Sequence, residues 1–332
     1  MIAIWKLFLF ALPMCAFWSR RKKENGFAPS PEWASFFTPE RYALFQREIH
    51  RHFQRNEIAC QIKDGIVYAF RGQDPEPCYS WGLLNLAQVC NQSPVERWPE
   101  QIQRHFDVAA RSEQENEDLK ARMDDFSAIR DHLGVRLGPI DLPRDVTIWR
   151  EEIPGVLSYI VIDLPSSMVT VNGDALSRWG VSSKQLFEIA LDNLRKQGCP
   201  DRRDFELDNK LTIVTAFGDS FFTASHALLL DEYPELVGPH GSLVSIPHRH
   251  ALLCYPIRDL NVVGVVHRLW AITQGMEKDG PGSITAQIYW YFQGQFTPIP
   301  CEIKDNSIAV RPPDVFVDML EGLGEVQKSQ PE

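Results

Sequence analysis

The chain has 332 residues, with 34 Lys+Arg against 44 Asp+Glu and 44% hydrophobic side chains. At roughly 150 residues per domain this suggests about two domains or lobes, enough to bury a core without a disulfide or metal staple. Charged and aromatic fractions of 23% and 11% exclude disordered, collagen-like and low-complexity classes, and a formal charge of −10 argues against nucleic acid as a partner, because binding it needs a basic face.

Residues 1–18 read MIAIWKLFLFALPMCAFW, with Lys6 as the one charged side chain, and Arg20, Arg21, Lys22 and Lys23 follow at once. Such a run of about 18 residues spans ~27 Å as a helix, just short of a ~30 Å hydrocarbon core. Trp5 and Trp18 stand near its ends, where an aromatic belt belongs, and Lys6 is near enough to one end to snorkel. Three readings compete: a short membrane anchor, a surface-lying or core-packed apolar helix, and a cleaved signal peptide. The anchor is preferred, because in a signal peptide positive charge precedes the apolar run. The basic cluster after the run then keeps the rest of the chain in the cytoplasm. Residues 1–23 hold Lys6, Arg20, Arg21, Lys22 and Lys23 and no acid, so the remaining chain is more acidic than the whole. A basic collar on an acidic body suits contact of residues 1–23 alone with an anionic leaflet.

Residues 24–37 read as a linker, with two prolines and a glycine. Thr38 is a good N-cap and Pro39 suits a first helical turn. Tyr42, Phe45, Ile49 and Phe53 then form one apolar stripe. Strands are expected over 57–63 and 65–71, turning at Asp64-Gly65. Residues 79–90 form an apolar segment and 95–126 a helix whose acid-rich part is a solvated face. Three prolines within 134–156 mark a connection between an N-terminal lobe, 38–133, and a C-terminal lobe, 157–322. Leu157–Asp163 is a strong strand and Val169–Val171 a shorter one before an Asn172-Gly173 turn. Ser182 and Gln185 form a capping box, opening a helix that ends at Gly198 and Pro200. Strands are expected at Lys210–Phe217, Leu243–Ile246, Ala251–Tyr255 and Ser283–Phe292, and helices at Thr223–Leu236 and Asp259–Gln274. A last helix follows Pro312-Pro313 and ends at Gly322, leaving 323–332 as a polar tail. This irregular alternation predicts an α+β fold of mixed or antiparallel sheets with flanking helices, in two lobes, plus the N-terminal apolar helix.

The seven cysteines, Cys15, Cys60, Cys78, Cys90, Cys199, Cys254 and Cys301, are scattered and form no C-x-x-C pair. They read as free thiols in a reducing compartment. No phosphate-binding glycine loop, H-E-x-x-H or G-x-S-x-G motif occurs, so no cofactor is expected. His248 and His250 flank Arg249 ahead of a strand, where alternate positions share a face, and they are weak metal candidates. Exposed or hydrogen-bonded histidines are the blander alternative, since a third ligand is missing. His50 and His52 share that spacing on a helix, where their side chains diverge. Asp219, Ser225 and His226 have the residue types of a hydrolytic triad, but a triad needs them about 3 Å apart. Asp219 alternatively caps the following turn. Asp163, closing a strand, either faces a cleft or forms a turn before Leu164-Pro165.

The stretches 159–194, 218–236 and 241–256 resemble the YtpQ-like family of uncharacterised bacterial proteins, with a weaker echo in 83–106. The shared features are an aliphatic strand ending in Asp with a tryptophan-glycine turn, an Asp-containing turn before Ala-Ser and leucines, and a strand–proline–arginine–strand unit. The resemblance implies a cytoplasmic protein and carries over Asp163, Asp219, Ser225 and Arg249 as shared polar residues. His248 and His250 stand where the family has a small residue and Asp, and residues 1–18 lie outside the resemblance. The family has no established activity.

These readings favour a non-catalytic binding or scaffold protein with an unknown protein partner, tethered by residues 1–23 to the cytoplasmic face of the inner membrane. The rival is a hydrolase-like enzyme with a polar cleft near Asp219, Ser225 and Arg249, where an arginine holds a carboxylate or phosphate.

Overall fold

A computed structural model describes residues 27–70, 72, 76–145, 147–208, 211–218, 220–304 and 307–329. The apolar run 1–18, its basic collar and the expected N-terminal helix lie outside the described residues. Among the described residues no helix is long and apolar enough to cross a membrane. The fold is α+β, and every strand pairing among the described residues is antiparallel. Two compact units divide between Phe106 and Asp107.

In the first unit, helix α1 (Pro39–Arg55) begins where its cap predicts, with the Arg41 amide donating to Thr38 Oγ1 at 3.3 Å. Strands β1 (Ala59–Lys63), β2 (Ile66–Phe70) and β3 (Tyr79–Gly82) form a three-stranded sheet in sequence order. The β1–β2 turn places Asp64 and Gly65 in the left-handed region, as a two-residue hairpin requires. Helix α2 (Leu84–Asn91) and the start of α3 (Trp98–Lys120) complete the unit. Phe45, Ile49 and Phe53 of the α1 stripe are buried with Trp98, Ile102 and Phe106. The expected linker 24–37 is corrected in its described part: Ala34 and Phe37 are buried in this core, because apolar side chains next to an open cluster gain more by packing than by solvation.

The second unit holds a four-stranded sheet of β4 (Leu133–Pro139), β6 (Val156–Asp163) and β5 (Trp149–Ile153) in that order, with β7 (Met168–Thr170) also on β6. The six-stranded sheet runs β13–β12–β10–β11–β9–β8. Its strands are β8 (Arg202–Asp208), β9 (Leu211–Phe217), β10 (Ser242–Ser245), β11 (Ala251–Pro256), β12 (Ile288–Phe292) and β13 (Gln295–Ile299). A separate ribbon pairs β14 (Cys301–Lys304) with β15 (Ser307–Val310). Short helices α4 (Phe126–Ile129) and α5 (Asp174–Trp179) precede α6 (Ser183–Gln197), and α7 (Val262–Asp279) and α8 (Asp314–Ser329) come later in the chain. The α6 capping box at Ser182 and Gln185 is formed in both directions.

Several boundaries move. The stretch 134–156, read as an inter-lobe connection, carries β4, a loop and β5. Pro139 and Pro154 stand at the ends of edge strands and Pro143 lies in the loop between them, so none separates domains. The 95–126 helix stops at Lys120, and the strand expected from Ser283 begins at Ile288. The last helix continues past Gly322 to Ser329, so the tail expected over 323–332 is helical as far as it is described; Leu323 is buried against the core and anchors that extra turn. The six described cysteines are free.

The β4–β6 register positions the polar groups of the second unit. Leu133 pairs with Ile162, Val135 with Ile160 and Arg136 with Tyr159. Side chains alternate across a strand, so Val135 and Ile160 share one face and Gly134, Arg136, Tyr159 and Val161 the other. The first face buries residues beneath Leu186, Phe187 and Ala190 of α6. On the second, Phe222 lies against Gly134: a Cβ there would stand 2.6 Å from the ring. Gly134→Ala is therefore expected to lower unfolding stability by about 1–3 kcal/mol in urea titrations. Adding Phe222→Leu should recover part of that loss, and a Gly134→Ala protein as stable as the parent would contradict the packing.

Candidate functional site

Asp163 ends β6, on the face that carries Gly134 and Tyr159. It lines an open cleft of about 390 Å³ with His132, Asn193, Lys196, Gln197 and Phe222. Burial raises the carboxyl pKa above the usual range, while His132 and Arg136 pull it down. Neither side chain forms a described ion pair with it.

Ser225 and His226 lie in a 3-10 segment, Thr223–Glu232, that packs against β11 and β4. Both are buried, at 1% and 4% exposure. Ser225 Oγ has no hydrogen-bond partner among the described residues, whereas His226 Nδ1 lies 2.8 Å from the Tyr233 hydroxyl. The imidazole thus serves a tyrosine, and the serine has no described base to activate it. Asp219 lies outside the described residues. Of the four residues singled out together, Asp163 belongs to the cleft, Ser225 is shut inside the body, and Arg249 is not among the residues that line the cleft.

Arg249 is braced through its backbone, its amide donating to Gly282 O at 3.1 Å and its carbonyl accepting from Ala224 N at 3.1 Å. Its Nε donates to His250 Nε2 at 2.9 Å, and His250 Nδ1 donates to Gly218 O at 3.0 Å. Both nitrogens of His250 are therefore engaged. The expectation of paired strand histidines is corrected here. His248 forms an isolated antiparallel bridge with Ser283 and His250 lies in the turn before β11, with His248 Nδ1 accepting from the His250 amide at 3.3 Å. They do not sit together on one strand, although their ring centroids stand 6.4 Å apart. Among the described residues no group of three metal-type donors is gathered.

Sequence reasoning passed over three side chains that the fold brings beside Arg249. Arg136 of β4 has its guanidinium carbon 5.8 Å from the Tyr159 ring centroid and 5.9 Å from that of Phe221. The Arg249 guanidinium lies 4.7 Å from the same Phe221 ring. Further along the same face of the sheet, Trp149 pairs with Tyr159 across β5–β6, and Arg144 covers Trp149 at 4.7 Å. Phe221 and Trp149 remain 41% and 36% exposed. No local motif signals these contacts, because they join residues from four separate segments. The sequence also hides a thiol–imidazole contact in the first unit, Cys60 Sγ to His50 Nδ1 at 3.2 Å. Burial pushes that thiol up, so the pair holds a thiol rather than a nucleophilic thiolate.

The chemistry of the second unit is therefore a row of guanidiniums laid over aromatic rings, next to a half-buried carboxyl. Such a row binds by cation–π and charge-assisted hydrogen bonds and, among the described residues, has no poised nucleophile–base pair.

The buried imidazoles make stability depend on pH. Burial lowers His226 to about 4, and burial followed by His250 and Arg249 lowers His248 to about 4. Each stays neutral when folded but takes a proton below about pH 6.5 once unfolded. Their contribution is whole above that pH and is lost as pH falls toward 4. Chemical denaturation should show the loss, on the order of 3 kcal/mol from His226 over this window. His226→Gln should flatten the profile between pH 6.5 and 5, and an unaltered slope would refute the assignment.

Compared with models of protein families, with curated proteins and with solved structures, the chain matches none of them.

Proposed function

We propose that this chain is a non-catalytic binding or scaffold protein, held at the cytoplasmic face of a membrane by residues 1–23. The arginine–aromatic face of the second unit is its recognition surface. The observation that carries the binding reading is that face: Arg144 on Trp149, and Arg136 and Arg249 on Phe221, with two of the rings exposed. Arginine over aromatic side chains is the composition of interface anchors, because the stem and ring bury apolar area while the fork keeps donors for a partner. The membrane part rests on the apolar run with Trp5 and Trp18 near its ends and on the basic collar Arg20 to Lys23. The resemblance to the YtpQ-like family stands beside this reading as a proposal of kinship.

The hydrolase reading is less well supported. Ser225 Oγ is buried without a described partner, and His226 contacts Tyr233 instead. Asp163 and His132 share a cleft with no hydroxyl or thiol nucleophile among its lining residues.

Full-length protein is expected to sediment with membranes from a cell lysate and to resist release by salt, whereas deletion of residues 1–23 should move it to the soluble fraction. Full-length protein that stays soluble at both low and high salt would remove the tether from this account.

A further inference from the structure

We propose that Arg136 and Arg249 form a binding site for a phosphate monoester, with Tyr159 and Phe221 as its floor and wall. This rests on the binding reading above and names the ligand chemistry of that face.

Two guanidiniums that share one aromatic ring are an unbalanced arrangement. They stand 5.9 and 4.7 Å from the Phe221 centroid. Arg249 is lowered to about 10, chiefly by burial and in part by the charge of Arg136. An arginine guanidinium is charged at neutral pH. Among the described residues neither has a carboxylate within ion-pairing distance, although the described carboxylates of this chain pair readily elsewhere. Arg136 also keeps its Nε buried without a described hydrogen-bond acceptor. Asp163 feels the field of Arg136 but forms no described ion pair with it. Like charges held together in a partly desolvated site raise the energy of the empty state, and a bound anion relieves it.

Geometry fixes the donors in place. Arg136 lies opposite Tyr159 in the β4–β6 pairing, with its guanidinium over the Tyr159 ring. The Arg249 backbone is tied to Gly282 and Ala224. Its side chain rests on Gly282, where a Cβ would stand 2.9 Å from Cδ, so this glycine gives the arginine its path. Nε is spent on His250, which leaves the terminal nitrogens as a fork. A carboxylate would balance one of the two cations. A phosphate monoester carries about −1.5 to −2 at pH 7 and offers three acceptor oxygens, enough for two forks. The exposed part of Phe221 faces the organic remainder of such an ester.

The same phosphate chemistry occurs on a free small molecule and on a phosphoinositide headgroup, and one titration separates them. Phenyl phosphate is titrated calorimetrically into the full-length protein in neutral detergent, with benzoate as the monoanion control. Saturable binding of phenyl phosphate, at least tenfold tighter than benzoate, is expected. Arg136→Gln and Arg249→Gln should each weaken it tenfold or more, and Arg249→Lys, which keeps the charge but loses the fork, should fall between. Circular dichroism melts identify any variant that fails to fold, and Phe221→Leu, at an exposed ring, supplies a variant that leaves both cations in place and should weaken binding severalfold. Displacement of phenyl phosphate by vesicles containing phosphatidylinositol monophosphate, but not by phosphatidylcholine vesicles, assigns the site to a headgroup. Binding without such displacement assigns it to a soluble phosphate ester. The proposal is overturned by absence of binding, by equal affinity for benzoate, or by binding that survives both glutamine substitutions. It is equally overturned if phenyl phosphate binds only after Asp219→Asn, which would make Asp219 the arginines' own counter-charge. A protein that sediments with membranes yet ignores phenyl phosphate would lose this site and keep its tether.

Discussion

The antiparallel pairing of β4 with β6 decides where everything chemical in the second unit stands. It sets Val135 opposite Ile160 and Arg136 opposite Tyr159, so one face of the pair buries against α6 and the other collects polar and aromatic groups. A slip of one residue would turn Arg136 onto the α6 face and Val135 onto the opposite one. The register is therefore pinned by hydrophobic burial on the α6 side, and the position of the arginine on the opposite side is a consequence of it. Gly134 extends the same logic, because its missing side chain admits the Phe222 ring and lets the 222–232 segment lie against the strand.

That segment explains why residues with reactive names do no evident chemistry. Ser225 and His226 are carried inward by a 3-10 helix that packs against β4 and β11, and burial leaves His226 neutral against Tyr233. His248 and His250 are consumed in the same manner, one packed beside Gly280 and one locked between Arg249 and the Gly218 carbonyl. These histidines hold a loop, and the loop holds Arg249. Positive charge then concentrates locally on a chain whose formal charge is −10. A basic patch on an acidic body favours a small or localised anion over an extended polyanion, since the surrounding field repels the rest of a long chain of phosphates.

Much of the local structure was legible in the amino-acid order. Thr38, the Ser182–Gln185 capping box, the Asp64-Gly65 turn and the unbroken apolar run of β6 each announce an element through hydrogen bonds or burial acting within a few residues. Elements that lack such signals escaped. β8 reads RRDFELD, a charged edge strand that exists because β9 offers it a ladder, and the β14–β15 ribbon is similarly exposed. The expected connection at 134–156 failed for the related reason that prolines at the ends of edge strands look, in one dimension, like breaks between domains.

For the site the division is sharper. The amino-acid order alone establishes an acidic chain of α+β patterning with a basic collar behind an apolar run, and it singles out Asp163 and Arg249 as polar residues beside strands. That Asp163 opens on a cleft, that Ser225 is sealed away, and that Arg136, Tyr159 and Phe221 surround Arg249 are decisions of tertiary structure. The physical reason is range: capping, turn formation and periodicity are short-range and write themselves into neighbouring residues. The meeting of two guanidiniums over one ring depends on strand register and on the path of a distant loop, which only packing of the whole unit sets.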